Sequence, residues 1–395
     1  MTNVLFITTL FDVINSSAAI RNNSLVKGMI ENGCNIDIYT VKWPEQMQSR
    51  FFQKEGNGNI YYTEIPSISI NNKLKNSIKP SGEIFSIIKK TIKNIIFFPD
   101  ICYRWNKIIS IKNLESYDLI ITSSDFKSSH FVGKTIRKKY PAIPWIQIWG
   151  DPWSTDINTP FFLKPLIKLK ETKLFKISDK IIFVSEPTAN EMKKKHPDIK
   201  DKIAFIPRSY YFRVEKTKNV DNSLPIHIVY TGVIGLGRNI DEIIEAIIKY
   251  NQRNESPKII LDFYSNINLN YEKYCKCKYI NFFGLLDFEN MKSIYENADI
   301  LLYISNGYST TQIPGKFFDY LGTNLPILCL VNNKEDQIFS FISRHQQCLA
   351  VCNDRNSIYY QLNNIESLIN KPITIDERYS PKFVAKQLLN SINVD

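Results

Sequence analysis

Residues 298–330, ADILLYISNGYSTTQIPGKFFDYLGTNLPILCL, decide the fold. Residues 300–304 form a continuous apolar run, the mark of a strand buried on both faces. A polar loop follows, then a short helix opened by Pro314 and Gly315, a stop at Gly322 and a second apolar run over 326–330. This is one βαβ unit, and its loop lies at the carboxyl end of the first strand, where open α/β sheets bind ligands. The helix start offers free backbone N–H groups and a positive dipole end to a phosphate. Lys316 and Asp319, three residues apart, share one helix face. A cation and a hydroxyl-binding carboxylate beside such a helix start suit a nucleotide-diphosphate sugar. The competing reading is structural: Phe317, Tyr320 and Leu321 pack the core while Lys316 and Asp319 solvate the outer face.

The same rhythm extends outward. Apolar runs at 4–9, 35–41, 117–124, 144–150, 180–185 and 202–207 alternate with helical patterns at 18–32, 125–139 and 163–177. Helices following strands in this order imply a parallel, doubly wound α/β sheet. The polar stretch RSYYFRVEKTKNVDNSLP then breaks the pattern and suits an interdomain link. A second series begins at IHIVYTG and runs through IILDFYS, YINFFG, DILLYIS and PILCLV. At 395 residues the chain exceeds what one core usually holds. The expected division is a first domain over 1–210, a linker over 211–224, a second domain over 225–376 and a terminal segment, 377–395, whose amphipathic helix at 381–392 crosses back to the first domain.

Composition excludes several classes. With 44% apolar and 23% charged residues the chain is a folded protein rather than a disordered one. No apolar run approaches the roughly 18 residues that span a bilayer. The start MTNVLFITTL lacks the basic region of a signal peptide, so the expected location is the cytoplasm. Seven cysteines then read as reduced thiols. Cys275-x-Cys277 and Cys348-x3-Cys352 lack zinc-site spacing, and the four histidines, His130, His196, His227 and His345, are dispersed, so no metal is expected.

A net charge of +11 attracts phosphate-rich partners. Residues 72–112 carry nine basic residues (Lys73, Lys75, Lys79, Lys89, Lys90, Lys93, Arg104, Lys107 and Lys112) against Glu83 and Asp100, interleaved with isoleucines and aromatics. Two readings stand open: contact with an anionic membrane surface, or amphipathic helices packed on the first sheet with their lysines in water. A nucleic-acid surface ranks below both, because no RNP-like, helix-turn-helix or zinc-finger pattern accompanies the charge.

The motif Pro314-Gly315-Lys316-Phe317-Phe318-Asp319-Tyr320-Leu321 resembles the second nucleotide-binding half of GT-B glycosyltransferases, specifically a branch of the retaining GT4 family that acts in bacterial surface-polysaccharide assembly. That family carries two acids here with seven residues between them, the first at the donor sugar and the second on the ribose. In this chain they fall on Thr311 and Asp319. The glycine turn TGVIGLGRNIDE places Gly232, Gly235 and Gly237 between a strand and a helix, where the backbone approaches a pyrophosphate. In the family's register Val233 stands at an Arg position and Arg238 at a Lys position. NFFGLL matches the loop whose backbone meets the nucleobase, making Gly284 and Leu285 donor-site candidates.

In the first half, WGDPWSTD places Asp151 just after a strand and resembles an Arg-Asp-Pro-Trp element of the same branch. The loop with Ser16 and Ser17, followed by Arg21, stands where the family's acceptor loop lies, and Arg208 replaces the Asn of a Pro-Asn-Gly element. The resemblance therefore implies two Rossmann-like domains facing a central cleft, with retention of configuration. The expected reaction moves a sugar from a nucleotide-diphosphate donor to a saccharide acceptor, lipid-linked, at the inner face of the membrane, without a metal cofactor. Catalytic roles fall to Asp151, Arg238 and Lys316, the two cations neutralising the leaving diphosphate. Two alternatives remain: a catalytically silent nucleotide-binding or scaffold subunit, and a GT-B-fold nucleotide-sugar epimerase.

Overall fold

The computed structural model describes residues 1–49, 51–52, 58–68, 96–155, 159–217, 224–235, 237–253, 258–266, 269–306, 311–333, 335 and 338–392. It separates into two compact units, Met1–Arg208 with Pro381–Asp395, and Ser209–Ser380.

Among the described residues the first unit holds seven strands: β1 (Asn3–Thr8), β2 (Asn35–Val41), β3 (Ile60–Thr63), β4 (Leu119–Ser123), β5 (Trp145–Trp149), β6 (Lys180–Phe183) and β7 (Ile203–Phe205). Their order is β3-β2-β1-β4-β5-β6-β7 and every pairing is parallel. The central strands are buried on both faces because helices cover both sides, which is why they read as unbroken apolar runs. The helices used below are α1 (Ser17–Glu31), α2 (Ser128–Lys139) and α3 (Lys164–Ile177). Ser16 caps α1 by accepting from the Ala19 N–H at 3.3 Å. Gly33, at φ +83°, supplies the left-handed turn into β2.

The second unit repeats the plan with β8 (Ile226–Thr231), β9 (Ile259–Tyr264), β10 (Ile280–Phe282), β11 (Ile300–Ile304), β12 (Ile327–Val331) and β13 (Cys348–Cys352), ordered β10-β9-β8-β11-β12-β13 and all parallel. Helix α4 (Asp241–Arg253) begins with Asp241 and Glu242, which favour the positive end of its dipole, and buries Ile243, Ile244, Ile247 and Tyr250 along one stripe. Helix α5 (Gly315–Leu321) follows β11, and the closing helix of the chain is α6 (Pro381–Asn390).

Two strands were not expected from sequence. β3, IYYT, has its two tyrosines exposed, and β13, CLAVC, is only partly buried. Both are edge strands, as are β7 and β10, and neither shows a fully buried apolar run. Helix α2 begins at Ser128 rather than 125, because residues 125–127 form a loop at the end of β4. Most of the basic segment, including Lys73, Lys75, Lys79, Lys89, Lys90 and Lys93, lies outside the described residues. Among the described residues no helix is long and apolar enough to cross a membrane, and no group of His, Cys, Asp and Glu is arranged to hold a metal ion. All seven cysteines carry free thiols.

Helix α6 packs on α1 inside the first unit, and the contact turns on Gly28. A Cβ there would sit 1.9 Å from the carbonyl oxygen of Pro381. Gly28→Ala should therefore destabilise the protein by about 1–3 kcal/mol through overpacking, exceeding the roughly 1 kcal/mol that alanine gains in helix propensity. Urea denaturation checks this, and an unchanged midpoint would show that α6 moves away at no cost.

Candidate functional sites

Both sheets reverse their strand order once, between β1 and β4 in the first unit and between β8 and β11 in the second. Loops at the carboxyl ends of those strand pairs diverge to opposite faces and leave a crevice.

In the second unit that place is occupied by two cations. Helix α5 is buried almost all round, with Phe317, Phe318, Tyr320 and Leu321 in the core and Asp319 only 7% exposed. This corrects the reading that put Lys316 and Asp319 on a solvated face. Lying between two buried strands, α5 buries every residue from Phe317 to Leu321, and only Gly315 and Lys316 at its start are partly exposed. The Lys316 side chain instead runs towards the end of β8. Its Nζ lies 3.5 Å from the centroid of the Tyr230 ring, a cation–π contact. It is cut off from solvent and has no hydrogen-bond acceptor. Gly232, at φ +89°, admits this approach, since a Cβ there would stand 3.5 Å from the amine. Burial pushes the Lys316 amine well below the ordinary lysine value, and the charge of Arg238 acts in the same direction.

Arg238 ties the loop after β8 to the loop after β11. Its guanidinium donates to the Val233 carbonyl at 2.8 Å and to Asn306 Oδ1 at 2.7 Å, leaving Nε buried without an acceptor. Tyr320 on α5 holds the end of β8, its hydroxyl accepting from the Thr231 N–H at 3.1 Å. Of the residues expected to bind a donor, Gly232, Gly235, Arg238, Pro314, Gly315, Lys316 and Asp319 gather on these two loops and α5, while Thr311 stands half-buried in the loop leading to α5. Gly284, at φ +81°, and Leu285, 50% exposed, lie on the loop after the edge strand β10. There Phe283 stacks on Tyr264 at 4.8 Å, and Asn266 accepts from the Ile234 N–H at 2.9 Å, linking the glycine turn to the loop after β9. Sequence reasoning missed Tyr230, Asn306 and Tyr320. Tyr230 and Tyr320 look like core residues, and Asn306 looks like any loop asparagine.

The first unit has its own polar cluster at the β1/β4 switch. Asn22, fully buried, donates to Thr8 Oγ1 at 2.9 Å and to the Leu10 carbonyl at 2.7 Å, and accepts from Ser123 Oγ at 2.7 Å. Beside it Arg21, 7% exposed, donates to Ser123 Oγ at 3.0 Å and to the Ser124 carbonyl, with Asp125 3.9 Å away. Burial pulls the Arg21 guanidinium below its usual value; Asp125 opposes this, Arg208 adds to it, and Asp151 opposes it. Arg208 donates to Ser17 Oγ at 2.9 Å. Lys127 donates to the Asp151 carbonyl at 3.1 Å and stands over the Trp149 ring. At Gly150 a Cβ would come within 2.6 Å of Asp125 and 2.9 Å of Arg21, so a side chain there would displace the cluster. The structure thus brings Ser16, Ser17, Arg21, Asp151 and Arg208 together from distant segments, and adds Asn22, Ser123, Asp125 and Lys127. Nothing in their spacing announced those four.

No protein-family model matches the sequence, and no curated protein matches it. Solved structures do match. The chain is similar to a putative UDP-N-acetylglucosamine 2-epimerase from Listeria monocytogenes, with a TM-score of 0.57 at 12% identity over 99% of this chain and 95% of that one. It is also similar to a UDP-N-acetylglucosamine 2-epimerase, with a TM-score of 0.53 at 10% identity over 100% and 97% of the two chains. A third is the apo form of the lipopolysaccharide outer core galactosyltransferase WaaB, with a TM-score of 0.51 at 11% identity over 99% of each chain. At these identities the likeness establishes the fold, two Rossmann-like parallel-sheet domains of the GT-B type.

The buried amine has a measurable signature. The unfolded chain keeps Lys316 protonated to about pH 10.4. The folded chain releases that proton at lower pH, so unfolding takes up a proton across the interval and stability rises with pH through it. Lys316→Met should stabilise the protein by about 1–3 kcal/mol at neutral pH, the usual cost of a buried donor without an acceptor. The advantage should shrink towards pH 10. Urea midpoints of both proteins at pH 7 and pH 9.5 test this, and a pH-independent difference would contradict it.

Proposed function

We propose that the protein transfers a sugar from a nucleotide-diphosphate donor to a saccharide acceptor, with the donor bound by the second unit. The observation that carries this reading is the Lys316 amine, buried with no acceptor, beside an Arg238 guanidinium whose Nε also lacks one. Two cations brought together out of water call for an anion, and a diphosphate carries enough charge to satisfy both. Their position at the β8/β11 switch, above a positive-φ glycine, is where a parallel sheet presents a nucleotide. The shelf formed by Phe283 and Tyr264 offers a flat apolar surface for a base, and the buried carboxylate Asp319 suits ribose hydroxyls.

In this reading Arg238 and Lys316 neutralise charge as the diphosphate departs. An oxygen of that diphosphate takes the acceptor proton on the face from which it leaves, so the sugar retains its configuration and no protein base or metal is required. The saccharide acceptor, lipid-linked in a surface-polysaccharide pathway, meets the cluster of Ser16, Ser17, Arg21, Asp151 and Arg208, and the enzyme works at the cytoplasmic face of the membrane.

Epimerisation of a nucleotide sugar is the second reading, favoured by the two 2-epimerases among the structural neighbours. Against it stand the four histidines. His227 pairs with Asp262, His345 with Tyr379, and His130 with Thr122, while His196 packs edge-on against Phe175. None belongs to the Lys316 and Arg238 pair. A silent binding subunit would hold nucleotide without turning it over.

A binding screen with UDP-, GDP-, ADP- and dTDP-sugars, followed by product analysis, separates these readings. Lys316→Met and Arg238→Gln should each weaken nucleotide-sugar binding by about tenfold or more, since a charge-assisted hydrogen bond contributes about 1.5–3 kcal/mol. Binding should survive EDTA. With a lipid-linked saccharide present, transferred sugar should appear by mass spectrometry. Inversion at a sugar carbon when the donor is incubated alone would instead identify an epimerase. Normal affinity in both variants would remove the nucleotide site from these loops.

A further inference from the structure

The surface around α3 carries a feature that neither sugar site uses. Four of its large apolar side chains stand in solvent within nine residues: Phe161 is 82% exposed, Phe162 45%, Leu166 42% and Leu169 51%. The two phenylalanines precede the helix and contact each other edge-on at 5.8 Å. The inward stripe of α3 is complete without them, because Ile167, Leu174 and Phe175 already fill the core. A solvated helix face accounts for lysines, but not for this row of exposed aromatic and aliphatic side chains.

Charge is arranged around that row. Residues 161–177 contain Lys164, Lys168, Lys170, Lys173 and Lys176 and a single acid, Glu171. Glu171 is fully buried on the opposite side, accepting from the Trp153 and Ser154 N–H groups at 2.6 and 3.0 Å and from Ser154 Oγ at 2.6 Å. Lys176 is paired with Asp198 at 3.0 Å, which leaves the earlier lysines to the face. Helix α2 adds Lys134 and Lys138. Burial lowers the Lys134 amine, and the charges acting on it, from Lys138, Lys170 and Lys173, are all positive. The fold therefore holds a like-charged group against its own repulsion, next to apolar side chains in water.

We infer that the 161–173 face, with Lys134 and Lys138, is a docking surface for an anionic lipid bilayer. The side chains of Phe161, Phe162, Leu166 and Leu169 enter the interfacial layer, and the flanking lysines meet lipid phosphates. Both halves of the pattern are needed for this occupant. Single-stranded nucleic acid would also attract lysines and find rings at Phe161 and Phe162, but the rest of the row, Leu166 and Leu169, offers no flat ring for a base. The inference is independent of the nucleotide site, which lies in the other unit.

The test uses the full chain in sedimentation with vesicles that are about one-third phosphatidylglycerol, against vesicles of phosphatidylcholine alone. The protein should bind the anionic vesicles and release as sodium chloride approaches 1 M, where the Debye length falls to about 3 Å. Phe161→Ser with Phe162→Ser, and separately Lys170→Glu with Lys173→Glu, should each weaken that binding by about tenfold or more. The same charge reversal at two lysines of the second unit, Lys276 and Lys278, should change it by less than about threefold. Circular-dichroism melts and nucleotide-sugar affinity serve as controls for folding, and both should be unchanged in all three variants. Absence of vesicle binding, equal binding to neutral vesicles, or an equal loss in the second-unit variant would overturn the assignment. So would vesicle-independent binding of a single-stranded oligonucleotide that the α3 variants abolish.

Discussion

A parallel sheet that grows outward in both directions from a central strand sends its crossover helices to opposite faces. The loops leaving the two central strands must then part, and the crevice between them cannot be filled by the helices on either side. This constraint acts twice in the chain, at β1/β4 and at β8/β11. Every polar arrangement of chemical interest described above in either unit grows from it. The same right-handed βαβ connections that bury the strands also line up their carboxyl ends, so residues distant in sequence meet along one edge.

The two crevices are furnished differently. In the first unit the buried polar groups largely satisfy each other: Asn22 bridges the end of β1 to Ser123 at the end of β4, and Arg21 is held between Ser123, the Ser124 carbonyl and Asp125. Such a network fixes side-chain positions before any ligand arrives. In the second unit the balance is left open. Lys316 has the face of Tyr230 for company and no acceptor, so its amine is held in a state that an incoming anion would relieve. Burial also pushes the Tyr230 hydroxyl up to about 12, while the charge of Arg238 and its hydrogen bond to that hydroxyl oppose the rise.

The glycines carry the close approaches on which these sites rest. Gly232 admits the lysine side chain to the end of β8, and Gly150 leaves room for Arg21 beside Asp125. At Gly322 a Cβ would lie 2.3 Å from the Phe212 carbonyl, so the chain segment that enters the second unit crosses the end of α5 at backbone contact. Helix α5 is therefore fixed at its carboxyl end, both by Tyr320 on β8 and by this crossing.

The sequence by itself determined the class of fold. Eleven of the thirteen strands are apolar runs legible without any structure, because a strand covered on both faces has no polar alternation to confuse it. Strands β3 and β13 escaped: the tyrosines of β3 face water, and β13 is only partly buried. Gly232 and Lys316 could be picked from local spacing, whereas Arg238, Asp151 and the small residues before α1 stand out with the help of the family resemblance. Only the tertiary structure decided what surrounds them. Whether Lys316 meets water or the Tyr230 ring depends on β8 lying beside β11, some seventy residues along the chain, and whether Arg21 meets an acid depends on the loop after β4. Exposure was equally invisible: Phe161 and Phe175 are the same residue type in one basic segment, and only packing sends one into solvent and the other into the core.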